Sequence, residues 1–235
     1  TALERAVVRS ADAVVTVTEG LTRLLGSTYP LARCVTAPNG FDPEEFSPAS
    51  SETDHFRLVH GGNLYVGRDE PLRALLAVVS KHAQELPGLE LVFLGGFPGP
   101  VRDEFRTLEA HGILRIMPRV STADYAREVA TSFATLQFNA EHFPYLVSTK
   151  IYEYAAAKKP VLSLNYGGEI DALIGEHALG WSVDVRDERR ILDALRESHA
   201  LWTADPGYRS EPVGFEQYDY RQITDRYRFV LESLL

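Results

Sequence analysis

The residues best suited to chemistry stand in one run, Ser148-Thr149-Lys150-Ile151-Tyr152-Glu153-Tyr154, at the start of a predicted helix that leads into a strand at Val161. A helix start offers unpaired amides and the positive end of the helix dipole, and both favour phosphate. Lys150 adds a point charge. Glu153, three residues on, lies on the same helix face. A carboxylate set one turn back from a phosphate can accept both hydroxyls of a ribose, so the run suits a nucleotide. The same two residues also satisfy a plainer description, an exposed ion pair worth roughly 0.2–0.5 kcal/mol on a helix that otherwise packs. Sequence alone leaves both open.

In an open α/β sheet, ligands lie beyond the carboxyl ends of the strands, so the residues just after each predicted strand matter most. Gly61-Gly62-Asn63 permits close backbone approach, and Arg68 carries a guanidinium able to grip phosphate in a fork. A tight turn and a solvated loop charge are the alternatives there. Pro118-Arg119-Val120 can offer backbone groups and a flat side to a nucleobase, or can be an ordinary connection. The polar and aromatic stretch from Asn139 to Thr149 includes Glu141, His142 and Tyr145, a composition suited to sugars. In Asn165-Tyr166-Gly167-Gly168-Glu169 a glycine pair enters a helix whose dipole Glu169 can cap. None of these glycine pairs has the alternating spacing of a dinucleotide-binding fingerprint, which argues against a nicotinamide enzyme.

These loops must be carried by strands and helices in alternation. Short apolar runs at Phe56–His60, Leu89–Leu94, Leu114–Met117, Phe133–Phe138, Val161–Leu164 and Trp181–Val183 predict six strands. Amphipathic segments fall between them: one opened by Pro71 with Leu72, Leu75, Leu76 and Val79 on one stripe, one near Val101–Ala110, and one from Ser121 through Ala130 with Asp124 at its third position. Others start at Ser148, at Glu169 and near Arg189, the last running to Ala200. The pattern predicts an α/β fold with a Rossmann-like, doubly wound parallel sheet over 51–217. Residues 1–50 read differently: a helix tail with Arg5 and Arg9, a strand Ala13–Val17, a short helix near Glu19–Leu25, a strand Cys34–Ala37 and the turn Pro38-Asn39-Gly40. Pro43–Asp54 reads as a linker. Two strands and two helices do not bury their own faces, so 1–50 reads as the last elements of an N-terminal domain. Residues 218–235 read as an amphipathic helix packing back on it. The opening at Thr1 inside a helix points to a fragment or a processed product.

Composition narrows the classes. Lys+Arg 24 against Asp+Glu 33 gives −9, so no general nucleic-acid footprint exists and an anionic ligand needs a local cluster. Cys34 is the only cysteine, which excludes an internal disulfide and fits a reducing, cytoplasmic compartment. The seven histidines are scattered and no Asp-x-Asp occurs, so no metal site is expected. No apolar run approaches 18 residues, so no membrane span is expected.

The order of these pieces resembles the GT-B glycosyltransferases of the retaining family 4 type, also called glycosyl transferases group 1. Ser10-Ala11-Asp12-Ala13-Val14-Val15-Thr16-Val17-Thr18 and Pro38-Asn39-Gly40-Phe41-Asp42 resemble the end of that family's N-terminal domain and its entry to the second domain. Gly61 to Leu72, Leu94-Gly95, Lys150 to Leu162 and Gly167-Gly168-Glu169 follow its donor-binding domain in order. The resemblance implies that Glu153 binds ribose, that Arg68 stands where a phosphate-binding lysine usually stands, and that Arg119-Val120 lines the base. The family commonly has a glutamate eight positions before Glu153, where this chain has Tyr145, and often a basic residue where it has Asn63. Lys150 or Glu141 then supplies part of what these departures remove.

By the same resemblance, the chain is the donor-binding part of a hexosyltransferase-type enzyme. It would take a sugar from a UDP- or GDP-type donor and pass it with retention to an acceptor sugar, lipid or small molecule. No metal or other cofactor is implied, and no carboxylate nucleophile is assigned. Such enzymes are thought to use the donor phosphate as the base. The expected donor-binding set is Gly61, Gly62, Asn63, Arg68, Arg119, Val120, Tyr145, Ser148, Thr149, Lys150 and Glu153. The expected partners are the nucleotide sugar, an acceptor and an N-terminal domain, with peripheral membrane association left open. Two other readings are an epimerase of sugar nucleotides with the same two-domain shape and a non-catalytic sugar-nucleotide-binding subunit completed by another chain.

Overall fold

The computed structural model describes residues 1–46, 54–64 and 67–235. The expected boundary at 50/51 and most of the expected linker lie outside the described residues.

Eight strands are described: β1 Val14–Thr16, β2 Cys34–Thr36, β3 Phe56–Gly61, β4 Leu89–Leu94, β5 Leu114–Met117, β6 Ala134–Phe138, β7 Val161–Asn165 and β8 Gly180–Asp184. The last six form one parallel sheet in the order β5-β4-β3-β6-β7-β8. This is the doubly wound order, and its direction reverses between β3 and β6. The reversal opens a crevice above the carboxyl ends of the strands. Register aligns those ends, since Gly61 pairs with Leu94 and Leu94 with Met117. The loops after β3, β4 and β5 therefore emerge side by side.

Every residue of β6 and β7 is buried. Both faces of a parallel strand are covered by helices, so its sequence reads as a near-continuous apolar run rather than an alternation. Leu58, Leu91 and Leu136 join a core with Leu72 and Leu75 of helix α3 (Asp69–His82) and Ile191 and Leu195 of the helix Glu188–Ala204. Val59 and Val92 face the other way, toward Val129, Ile151 and Ile170 on three other helices. Each fully buried leucine or valine contributes about 1.5–3 kcal/mol, so the two-sided core fixes the sheet and with it the loops.

The helices in chain order are α1 Ala2–Ser10, α2 Glu19–Thr28, α3 as above, α4 Gly99–Glu104, α5 Arg106–Ala110, α6 Thr122–Ala130, α7 Lys150–Ala156, α8 Glu169–Glu176, α9 Glu188–Ala204 and α10 Tyr220–Glu232. Three differ from the sequence expectation. The segment Val101–Ala110 is two helices broken at Phe105 (φ −109°, ψ 25°), whose ring packs on the first core. Pro71 is the third residue of α3 rather than its opening one. The helix expected from Ser148 starts at Lys150. Ser121 caps α6 as expected, its hydroxyl accepting from Asp124 N at 3.1 Å.

The short strands β1 and β2 pair in parallel as a separate sheet. The chain leaves this part at Phe41 and returns beside it at Asp219, where the two segments form a parallel bridge. Phe41 N donates to Tyr218 O at 3.0 Å and Tyr220 N to Phe41 O at 3.1 Å. Helix α10 then reaches back to the β1–β2 part, with Arg33 donating to the Ser233 hydroxyl at 2.5 Å. No described helix is long and apolar enough to cross a membrane.

Candidate functional site

A cavity of about 350 Å³ lies over the carboxyl ends of β3, β4 and β5. Gly62 and Asn63 come from the loop after β3, Gly95 from the loop after β4, Arg119 and Val120 from the loop after β5, and Lys150 and Glu153 from α7. Six of the expected residues thus meet in one place. Backbone bonds hold the three loops level: Gly62 N donates to Leu94 O at 2.8 Å and Gly95 N to Met117 O at 3.0 Å. The Asn63 amide oxygen accepts from Gly96 N at 2.7 Å. At the position where the resembled family often has a basic residue, Asn63 ties two loops together.

Lys150 and Glu153 do form the ion pair of the plainer description, Nζ to Oε2 at 3.1 Å, but not an exposed one. Their side chains are 28% and 19% exposed and both line the cavity. A third residue completes the group. Tyr125 of α6 donates its hydroxyl to Glu153 Oε2 at 2.7 Å, and Lys150 Nζ lies 4.4 Å from the centre of its ring. Burial, reinforced by the neighbouring Tyr154 and Glu153, pushes the Tyr125 hydroxyl far above the usual tyrosine range, so it is a permanent donor. The cavity therefore offers a cation, a carboxylate with one oxygen already engaged, and a wall of loop backbone. That set suits a ligand carrying both phosphate and vicinal hydroxyls.

The remaining expected residues lie elsewhere. Gly61 is buried beneath the cavity, its N–H donating to the Tyr154 hydroxyl at 3.0 Å. Arg68 directly precedes α3, outside the cavity lining, and its charge acts on His60 and Tyr154. Ser148 and Thr149 are not in the lining either; the Ser148 hydroxyl accepts from Lys150 N at 3.3 Å. Glu141 is exposed and pairs with Arg186 at 3.9 Å. His142 is exposed. Among the described residues no group of three or more His, Cys, Asp or Glu is placed to hold a metal.

Tyr145 lines a different cavity, of about 880 Å³, between α2 and the start of α8, together with Glu19, Arg23, Pro144 and Glu169. The loop that carries it is pinned at both ends. Asn139 Nδ2 donates to Leu146 O at 2.8 Å, and Glu169 N donates to Pro144 O at 2.8 Å. From the other part of the chain, Arg23 reaches Glu169 at 3.1 Å.

The fold has relatives among solved structures. A sucrose-phosphate synthase from Thermosynechococcus elongatus is 15% identical over 99% of this chain, with a TM-score of 0.70. The pneumococcal O-GlcNAc transferase GtfA, solved with UDP and GlcNAc, is 13% identical over 95%, with a TM-score of 0.67. A glycosyltransferase from Rickettsia africae is 13% identical over 95%, with a TM-score of 0.69. The chain thus has the architecture of GT-B glycosyltransferases, its parallel sheet corresponding to their Rossmann-like C-terminal domain. It spans 61%, 45% and 63% of the lengths of those three chains, respectively. No protein-family model and no curated protein matches the sequence.

Proposed function

We propose that this chain is the nucleotide-sugar-binding part of a glycosyltransferase, moving a sugar from a UDP- or GDP-type donor to an acceptor with retention and without a metal. The observation that carries the proposal is the convergence of Lys150, Glu153 and the loops after β3, β4 and β5 on one cavity at the carboxyl ends of a doubly wound sheet. In this reading Glu153 accepts the ribose hydroxyls, Arg119 and Val120 flank the base, and Lys150 and Arg68 neutralise the diphosphate. The groove beside Tyr145, on the side facing α2, takes the transferred sugar. No residue of this chain is assigned as nucleophile; the donor's own phosphate is the base. The chain contributes orientation and charge stabilisation of the leaving diphosphate. A cytoplasmic location belongs to the same reading, supported by the single cysteine.

Titration calorimetry with UDP and with GDP tests the binding half. The expected result is saturable binding of one of them by the wild-type chain, without sugar transfer from the matching nucleotide sugar. This part of the proposal places the acceptor on residues outside the chain, in keeping with the share of its structural relatives that it spans. Absence of binding to both nucleotides would overturn the assignment of the cavity. Transfer by the chain alone would overturn the placement of the acceptor.

A further inference from the structure

Gly61, Tyr154, Tyr125 and Glu153 cluster under the candidate donor cavity. Gly61 N–H donates to the Tyr154 hydroxyl at 3.0 Å and Tyr125 donates to Glu153 Oε2 at 2.7 Å. Tyr154 is fully buried and Tyr125 is 8% exposed. A carboxylate only accepts, so this last bond has one possible direction: Tyr125 gives its proton to Glu153.

The bond from Tyr125 decides which carboxylate oxygen meets a ligand. Oε2 takes the Tyr125 hydroxyl and the closer Lys150 contact at 3.1 Å, while Oε1 has only a longer contact to Lys150 at 3.4 Å. Tyr125 itself has little freedom. Its ring lies so close to Gly61 that a Cβ there would sit 2.2 Å from Cε2, and Phe46 packs edge-on against it with centroids 5.9 Å apart. A glutamate on a seven-residue helix would otherwise sample several rotamers.

We propose that Tyr125 is a positioning residue for the nucleotide. Wedged between Gly61 and Phe46, it fixes the Glu153 carboxylate so that Oε1 faces the ribose hydroxyls, and it holds Lys150 against its ring. The inference rests on the ribose role of Glu153 proposed above. Its ring also packs on Gly61 at the end of β3, so the ribose carboxylate and the loop after β3 are set by one side chain.

The test compares the affinity of wild type and Tyr125→Phe for the nucleoside diphosphate that wild type binds and for its 2′-deoxy analogue. The phenylalanine keeps the ring packing and removes only the hydroxyl, and a thermal melt checks that the variant folds. Tyr125→Phe is expected to weaken the ribose form by about 5- to 20-fold, toward the low end of the roughly 10- to 150-fold for losing a charged contact outright, because the carboxylate itself remains. The 2′-deoxy form should move by less than about twofold, so the wild-type preference for ribose collapses. General damage to the pocket would weaken both forms alike, and that result overturns the proposal, as does unchanged binding of both. Wild type that binds both forms equally removes the ribose role of Glu153 and this proposal with it, while leaving nucleotide binding in place. Wild type that binds neither UDP nor GDP removes the function reading itself.

Discussion

Thr18 and Tyr145, 127 residues apart, are joined by a hydrogen bond from the Thr18 hydroxyl to the Tyr145 carbonyl at 2.7 Å. The same threonine oxygen accepts from Leu21 N at 3.3 Å and so caps α2. One buried side chain therefore starts a helix in the first part of the chain and holds a loop of the second. Thr18→Val keeps the shape and loses both bonds. Stability should fall by about 1–2 kcal/mol, read from the denaturant midpoint. Nucleotide binding at the separate cavity of Lys150 and Glu153 should remain within about twofold. A variant as stable as wild type would show that the bond between the two parts contributes nothing.

Glu153→Ala should weaken nucleoside diphosphate binding by about 1.5–3 kcal/mol, roughly 10- to 150-fold, because a charged acceptor is lost at the ribose. Were Glu153 no more than the partner of Lys150, its removal would free the lysine for phosphate and binding would hold or improve. Calorimetry on Glu153→Ala and Glu153→Gln separates the two, since the glutamine keeps the volume and one acceptor and should lose less.

Donor binding should survive a chelator. Lys150 and Arg68 supply the neutralising charge, and no acidic cluster is placed among the described residues to hold a cation beside them. Binding isotherms with and without EDTA are expected to superimpose. Loss of binding restored by manganese or magnesium would defeat the metal-free assignment.

Gly168 has φ +85°, and a Cβ there would lie 2.2 Å from Pro144 O, the same carbonyl that accepts from Glu169 N. Gly168→Ala must strain the backbone or push the Tyr145 loop away. A cost of about 1–3 kcal/mol is expected from the backbone alone. Urea unfolding measures it, and an unchanged midpoint would count against the geometry of this loop.

Acid should act through His60. Burial against Phe93 and Phe138 pushes its imidazole down to about 4, despite the hydrogen bond to Leu136 O at 2.9 Å, and the charges of Arg68 and Lys150 act in the same direction as burial. In the unfolded chain the ring titrates near its usual 6.5. The unfolded state thus takes the proton first as pH falls. The stability associated with neutral His60 is complete above about pH 6.5 and is lost between there and pH 4, a change of about 3 kcal/mol. His60→Leu removes this dependence, so its stability should change less over that window than that of wild type. Parallel pH profiles would refute the assignment.

Much of this was legible in the residues. The six strands of the main sheet stand out because each reads as a short apolar run, with β6 and β7 buried throughout, and helix starts such as Ser121 carry their caps in the sequence. The cluster of Lys150 and Glu153 with the glycine loops was legible because loops after parallel strands converge. Tyr125 was not. A tyrosine one turn into an amphipathic helix looks like a core residue, and only the fold brings it to a glutamate 28 positions later. Its one available signal is its place on the helix that follows the Arg119 loop. Phe46 and Glu45 line the same cavity from a stretch that reads as linker. The family resemblance put Tyr145 with Glu153, yet its loop turns toward α2, because Asn139 and Gly168 set its path through contacts that the sequence pattern does not encode.

The paired crossing at Phe41 and Asp219 has a mechanical meaning. Among the described residues, the segment leaving the β1–β2 part and the segment returning to it meet at one spot, bridged by two backbone bonds and the stacked rings of Phe41 and Phe215, 5.9 Å apart. Sliding or twisting one part past the other would break those bonds, whereas a swing about the line through them bends both passages together and breaks neither. On the far side, across the groove beside Tyr145, the two parts also meet through Thr18 with Tyr145 and Arg23 with Glu169, so such a swing would be felt first at those two contacts.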